Sequence, residues 1–456
     1  MPYGEKKYNR RLTRLGRIVD QDRIAIYHNC GESADSMLVQ VPYGKSEVDF
    51  QIDRTRLMGI ISPSETAPSA NPDLEVERAL KNPIDGPTIE ELSPRGKTVA
   101  IAVDDLTRVT PTYALLKPIL RLLRDAGARR QDIKIIVALG SHRAMTVQEK
   151  KEKYGADVVE EYEVIDHAFD DKSELQYLGE VAGDLPVWIN REYLKADVRI
   201  ATGSILPHPN AGWGAGAKIL LPGLAGEETI GRMHVHSATT TPNGLGMDQN
   251  PTRQLIDTFA EKVGIQLLVN TTVTRRREIV KIFAGHFVKA HRRGIDLAKS
   301  IYGVKIPGLA DITISSSHPA DIEYWQALKG LSSADLATKP TGGIIELAPC
   351  PEGISATHPR WIEYLQHSTN ELREMYKAGE AEDLIALGLA LNVVHVREKH
   401  PVCLVSDGVS DRDAAKMGFS KFNSVEEALQ FLSCRYGSDS RINVLTHGGE
   451  TYPVLK

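Results

Sequence analysis

KTVAIAVDDLTR, residues 97–108, is the stretch that decides the fold. Residues 97–103 read as a continuous apolar run of strand length, the pattern of a strand buried on both faces of a sheet. The run stops at Asp104-Asp105-Leu106-Thr107-Arg108, and residues 112–127 follow as an amphipathic helix with Gly127 at its end. The unit then repeats. Residues 133–139 are a second buried strand, Gly140-Ser141-His142-Arg143 its loop, and 146–154 a helix opened by a Thr146/Glu149 capping box. Strand, polar loop and helix in alternation predict a parallel α/β sheet with its loops gathered beyond the strand C-termini, where ligands bind.

A third such loop lies in TGSILPHPNAGWGAGAKILLPGLAGEETIGRMHVHS, residues 202–237. It sits between a predicted strand, 198–205, and a predicted helix, 227–234, and has almost no periodicity. A phosphate-binding P-loop fails here twice, because 217 is Ala and 219 is Ile. The dinucleotide fingerprint does match Gly212, Gly214 and Ala217, but Pro207-His208-Pro209-Asn210 separates it from its strand, and Pro222 cuts short any helix begun at Lys218. By the parallel-sheet rule, Asp105, Arg108, His142 and His208 converge on one edge from three loops.

The chain has 456 residues, enough for two or three domains, with 41% apolar and 25% charged residues. The balance of 55 basic and 60 acidic residues argues against a nucleic-acid or membrane-surface role. The basic clusters at 275–277 and 291–293 read as solvated surface. Four cysteines without C-x-x-C spacing read as structural, which fits a reducing cytoplasm. Residues 1–30 are charged, lack the apolar core of a secretory signal, and read as an extension that packs on a partner or stays mobile. The longest apolar run, 384–394, is far short of a membrane span.

Short strands are expected between 37 and 50, and a long surface excursion over the Pro-, Ser- and Asn-rich residues 61–96. Beyond 250 the helices expected are 251–263, 286–302 and 424–432, and the strands 265–270, 278–283, 311–315, 343–348, 402–405 and 442–445. This divides the chain into an N-terminal α/β domain, 1–274, and a C-terminal α/β domain, 275–456, with the cleft between them as the ligand site.

Five blocks in order resemble the nickel-dependent lactate racemase family and related 2-hydroxy acid racemases and epimerases. They are DDLTRVTPT (104–112), ALGSHRAMT (138–146), ILPHPNAG with Lys218 ten residues past its His208, LPGLAGEETI (221–230) followed by His234, and DIEYWQALKGL (321–331). The resemblance covers residues 37 to the C-terminus. It implies two α/β domains around a cleft, the fold already read from the strands. It also implies nickel held in a pincer nucleotide, the pyridinium-3-thioamide-5-thiocarboxylic acid mononucleotide, tethered through Lys218 with His234 as the protein ligand. By match His142 and His208 are the acid/base pair, and Arg108 and Lys329 hold the substrate carboxylate. Gln326 and Trp325 complete the pocket. Asp105 fixes either Arg108 or the cofactor ribose. The reaction implied moves the α-hydrogen as hydride, through a 2-keto acid, while a histidine takes the hydroxyl proton. Histidine suits that task because its pKa lies near neutrality. The implied partners are a small 2-hydroxy acid and the cofactor-biosynthesis proteins that load the enzyme; a homo-oligomer is compatible with the sequence.

Read from geometry alone, Gly223 and Gly226, ahead of the helix at Glu227, would offer N–H groups to the nucleotide phosphate. His234 and His236 look like a metal pair, yet residues two apart on a helix point about 200° from one another. The plain alternative for His234 is a favourable site at its helix C-terminus, and for Arg108 an ordinary salt bridge with Asp104 or Asp105. Two departures from the family pattern, Trp213-Gly214-Ala215-Gly216 and Trp325 in place of a tyrosine, extend the expected substrates from lactate to larger acids, including a sugar acid epimerised at C2. Two other classes stay open: an NAD-type 2-hydroxy acid dehydrogenase, and a non-catalytic binding protein of the same fold.

Overall fold

The computed structural model describes residues 36–455; the reading of residues 1–30, Cys30 included, lies outside the described residues. Two six-stranded sheets organise the chain. The first has the order Ile279–Gly285, Leu267–Val273, Val198–Ser204, Val99–Asp104, Ile133–Ala138, Glu163–Asp166. All its pairings are parallel except the hairpin at the Ile279–Gly285 edge. The second has the order Ser420–Phe422, Val402–Val405, Thr338–Leu347, Ala310–Ser316, Ile442–Leu445, Leu57–Ile61 and is parallel throughout. Every residue of Val99–Asp104 is buried, as a strand covered by helices on both faces must be.

Both sheets reverse their winding inside. In the first, the chain runs outward from Val99–Asp104 and returns to Val198–Ser204 on its other side; in the second, Ala310–Ser316 stands between Thr338–Leu347 and Ile442–Leu445. Loops leaving neighbouring strands at such a switch point diverge and open a crevice. The two crevices face each other across the cleft. A single apolar core runs between the sheets, from Trp213, Leu221 and Met233 to Trp325, Leu331 and Leu387.

Four expectations are corrected. The boundary near 275 falls in the turn of the Leu267–Val273/Ile279–Gly285 hairpin, and the helix Phe287–Tyr302 also packs on the first sheet, so the changeover between sheets follows that helix. Leu57–Ile61 crosses back to pair with Ile442–Leu445, so the second sheet includes an N-terminal strand. The excursion 61–96 contains the helix Pro72–Lys81, capped by Asn71 and burying Val76, Ala79 and Leu80. Among the basic clusters, His291 is fully buried rather than solvated. No helix among the described residues is long and apolar enough to cross a membrane.

Candidate active site

The loop after Val99–Asp104 is held from below. Thr110 Oγ1 donates to Asp104 Oδ2 at 2.5 Å, Tyr154 Oη to the Asp104 carbonyl at 3.0 Å, and Lys153 Nζ to the Thr110 carbonyl at 3.0 Å. Burial pushes the Asp104 carboxyl up and the Lys153 amine down. This base turns Arg108 into the cleft. It makes no salt bridge with Asp104 or Asp105; its Nη1 donates instead to Gln326 Oε1 at 3.0 Å, across the cleft.

His142, from the loop after Ile133–Ala138, is the hub. Its Nδ1 lies 2.6 Å from Asp105 Oδ2 and its Nε2 2.9 Å from Gln326 Nε2. A carboxylate only accepts, so Nδ1 carries the ring proton and Nε2 keeps a lone pair that accepts from the Gln326 amide. Burial alone would raise the Asp105 carboxyl; His142, then Arg108, hold it well below the ordinary carboxylate range. Asp105 therefore orients His142, and it stands behind the cavity wall. Gln326 and Lys329 lie one turn apart on the helix Tyr324–Ala337, and Lys329 Nζ donates to Gln326 Oε1 at 2.7 Å.

His208 reaches the cavity because Pro207–His208 folds back on Gly212–Trp213 as a minimal hairpin. Its Nδ1 accepts the Asn210 N–H at 3.2 Å. Burial, then the charges of Lys218, Lys329 and Arg108, hold it well below an ordinary histidine, so its ring is neutral. Lys218 follows in the short turn Gly216–Ile219, and burial with Arg108 and Arg253 pushes its amine well down.

His234 lies within the helix Glu227–Thr240, which runs six residues past the expected end, so its ring caps nothing. Its Nδ1 sits 3.0 Å from the Asn210 amide, which Asn392 fixes in turn at 2.9 Å. Burial, then Lys218, pushes the imidazole down to about 3. Gly388 of the neighbouring helix Leu384–Lys399 backs onto it: a Cβ there would stand 2.7 Å from His234 Cβ. His236 is half-buried and does not share the cavity, so the H-x-H pair does not form.

Arg108, His142, His208, Lys218, Gly223, His234, Trp325, Gln326 and Lys329 line one cavity of about 1240 Å³, its open mouth included. Gly223 shapes the wall, since a Cβ would meet the Ile219 carbonyl at 2.2 Å. The phosphate role read for the two glycines is corrected. The Gly223 N–H donates to Lys218 O and the Gly226 N–H to Trp188 O, at 3.3 and 3.1 Å, and Gly226 lies outside the cavity. Trp325 stacks on His358 at 4.4 Å and 9°, and Asp383 anchors that imidazole at 2.7 Å. No group of three metal-ligating side chains occurs among the described residues. Asn210 and Asn392 escaped the sequence reading; an asparagine inside the apolar run 384–394 was the available signal.

A family model described as the lactate racemase N-terminal domain matches residues 43–246, and the lactate racemase C-terminal domain matches 306–450. The chain belongs to the lactate racemase family. That membership makes it an isomerase of the racemase class. A lactate racemase from Thermoanaerobacterium thermosaccharolyticum is 29% identical over 418 residues, covering 90% of this chain and 97% of that protein. A lactate racemase from Lactiplantibacillus plantarum is also 29% identical, over 428 residues, covering 90% and 98%. The solved apoprotein of the Thermoanaerobacterium enzyme superposes with a TM-score of 0.82 at 28% identity, over 92% of this chain and 100% of that one. A Thermotoga maritima protein shares the fold at a TM-score of 0.69 and 19% identity, over 86% and 100%.

Proposed function

We propose that this family member is a nickel pincer nucleotide-dependent racemase or epimerase of a 2-hydroxy acid, with lactate the first acid to try. One observation carries the reading: two acid/base histidines, a lysine amine, a third histidine and a cationic pair share one cavity. The residues fit the cofactor. The Lys218 amine has no hydrogen-bond or ion-pair partner among the described residues, and its lowered proton affinity favours the neutral form that can bond covalently. His234 offers a neutral imidazole held at Nδ1 by the Asn210 amide; with that amide turned so that its oxygen accepts the Nδ1 proton, Nε2 is free to serve as a single protein ligand to nickel. When bound, the nickel pincer nucleotide supplies a centre that takes and returns the α-hydrogen with its electron pair.

The chain does the rest. Arg108 and Lys329 both donate to Gln326 Oε1; a substrate carboxylate matches those donors better than an amide oxygen, displaces it, and brings the negative charge that favours the Lys329 ammonium against burial and Arg108. Held this way, the hydroxyl meets His142 Nε2, whose lone pair takes the proton while Asp105 stabilises the imidazolium. A 2-keto acid remains between the two histidines. His208 serves the opposite configuration. Its Nδ1 accepts the Asn210 N–H, so the neutral ring carries its proton on Nε2 as a donor to the keto oxygen, and the proton it gives must be replaced. Inversion thus includes proton transfer between the histidines or with water.

Loading of the cofactor by dedicated biosynthetic proteins in the cytoplasm is part of this proposal. The test is intact-mass spectrometry and metal analysis after co-expression with nickel pincer biosynthesis. A nucleotide-sized adduct on Lys218 with one nickel per chain, lost in Lys218→Ala, is expected. An unmodified mass from cells that load a known racemase refutes the reading.

A further inference from the structure

Arg253 sits in the first turn of the helix Pro251–Val263 and is fully buried, yet it meets no carboxylate. Asp257, one turn on, pairs with Arg292 instead. The Arg253 guanidinium spends its donors on three carbonyls of the loop before Lys218: Ala211 at 3.4 Å, Ala215 at 3.2 Å, and Trp213. The same loop is held by His291, whose Nε2 donates to the Gly214 carbonyl at 2.7 Å, and by Asn270, whose Oδ1 accepts the Gly216 N–H at 3.0 Å. It needs holding. Ala215 takes φ 56°, a left-handed conformation that a side chain disfavours, and its carbonyl also accepts the Lys218 N–H at 3.2 Å. A buried cation whose one nearby carboxylate, Asp257, is shared with Arg292 is costly, and packing a loop does not require a charge. A neighbour that gains from uncompensated positive charge is an amine that must stay neutral.

We propose that Arg253 is a positioning residue: it fixes the backbone under Lys218 and, by its charge, keeps the Lys218 amine a free nucleophile before any cofactor is attached. The groups acting on that amine come from every side of the cavity: Arg108 and His208 from loops of the first sheet, His234 from the helix above, Lys329 from across the cleft, and Arg253 from below. All are cationic or neutral. Of the two carboxylates lining the cavity, Asp104 is tied to Thr110 and Glu450 to Arg277. Burial and the charges of Arg108 and Arg253 lower the amine's proton affinity, in keeping with this geometry. The inference rests on the tether reading only for its purpose.

The test uses the full chain made without cofactor loading. Acetic anhydride is added across a pH series; the amine attacks a carbonyl, acetate leaves, and the ammonium proton goes to water. Peptide mass spectrometry reads Lys218 against the exposed Lys195 and Lys377. Lys218 is expected to label with an inflection at lower pH than both controls. In Arg253→Gln the inflection moves up, and each unit of that move slows labelling at pH 7 about tenfold. Arg253→Lys, which retains the charge, keeps the early inflection, and it decides the matter if Arg253→Gln does not fold. A Lys218 profile like those of the controls, a folded Arg253→Gln unchanged from the parent, or an Arg253→Lys that labels like an exposed lysine overturns the proposal. A reactive Lys218 that never gains the nucleotide adduct in loading cells would instead sink the tether reading.

Discussion

Asp105→Asn isolates the orienting carboxylate from everything that touches substrate. The Asp105 side chain is only 3% exposed, meets His142 Nδ1 at 2.6 Å, and lies outside the cavity lining. Asparagine fills nearly the same volume, so the wall is retained while the charge is lost. A hydrogen bond to a charged group contributes about 1.5–3 kcal/mol, which is roughly 10- to 150-fold in rate. A second loss can follow. The asparagine amide can turn its N–H toward Nδ1, and the ring then carries its proton on Nε2, where it cannot act as a base. In a serine protease triad the equivalent inversion costs about 10⁴-fold, so the expected fall in kcat lies between these limits. KM should change little, because Arg108, Gln326 and Lys329 are untouched. The assay is racemisation by the nickel-loaded enzyme from each enantiomer. The ratio of kcat/KM in the two directions equals the equilibrium constant, so both must fall together although Asp105 contacts only one of the two histidines. A folded, loaded Asp105→Asn enzyme with kcat within twofold of the parent, or one impaired only in KM, would refute the orienting role.

Two further perturbations test the scaffold. Gly388→Ala places a methyl against the His234 backbone, at 2.7 Å from its Cβ, where neither helix has room to yield; overpacking of this kind costs about 1–3 kcal/mol. The variant should melt earlier and retain less nickel while the Lys218 adduct still forms, and unchanged melting and metal content would contradict the close crossing. Glu346 is fully buried beneath Tyr324 and Ser317, and burial pushes its carboxyl up to about 7. A folded-state value above the unfolded one means that stability is lost as pH rises from about 4.5 through 7. Glu346→Gln carries no charge to bury, so its stability relative to the parent should climb over that window by up to ~3 kcal/mol. Denaturant titrations at pH 4.5 and 8 that gave the same difference would count against it.

What could be read from the chain follows from where its information is local. Val99–Asp104 and Ile133–Ala138 announce themselves because a strand covered on both faces has no polar alternation, and the Thr146/Glu149 box marks a helix start within four residues. That His142, His208 and Arg108 share one cavity was legible because loops beyond parallel strands gather at one edge. The contacts that set their chemistry were not. The Gln326–His142 bond joins residues 184 apart in sequence, and the Asn392–Asn210 bond joins residues 182 apart. No local pattern encodes such pairings. The same limit displaced the boundary at 275: Arg275-Arg276-Arg277 reads as solvated surface, and only the pairing of Leu267–Val273 with Ile279–Gly285 shows it to be a hairpin turn. Arg253 gave no signal, since a charged residue in the first turn of a helix usually faces water. Its burial matters because the site is assembled from two kinds of part. The reacting groups line the cavity from loops beyond the first sheet and from the helices Glu227–Thr240 and Tyr324–Ala337, and the groups that set their protonation brace them, Asp105 behind His142, Asn210 and Asn392 beside His234, Arg253 below Lys218. The first kind can be found by motif. What the second kind touches is found only when the fold brings distant segments together.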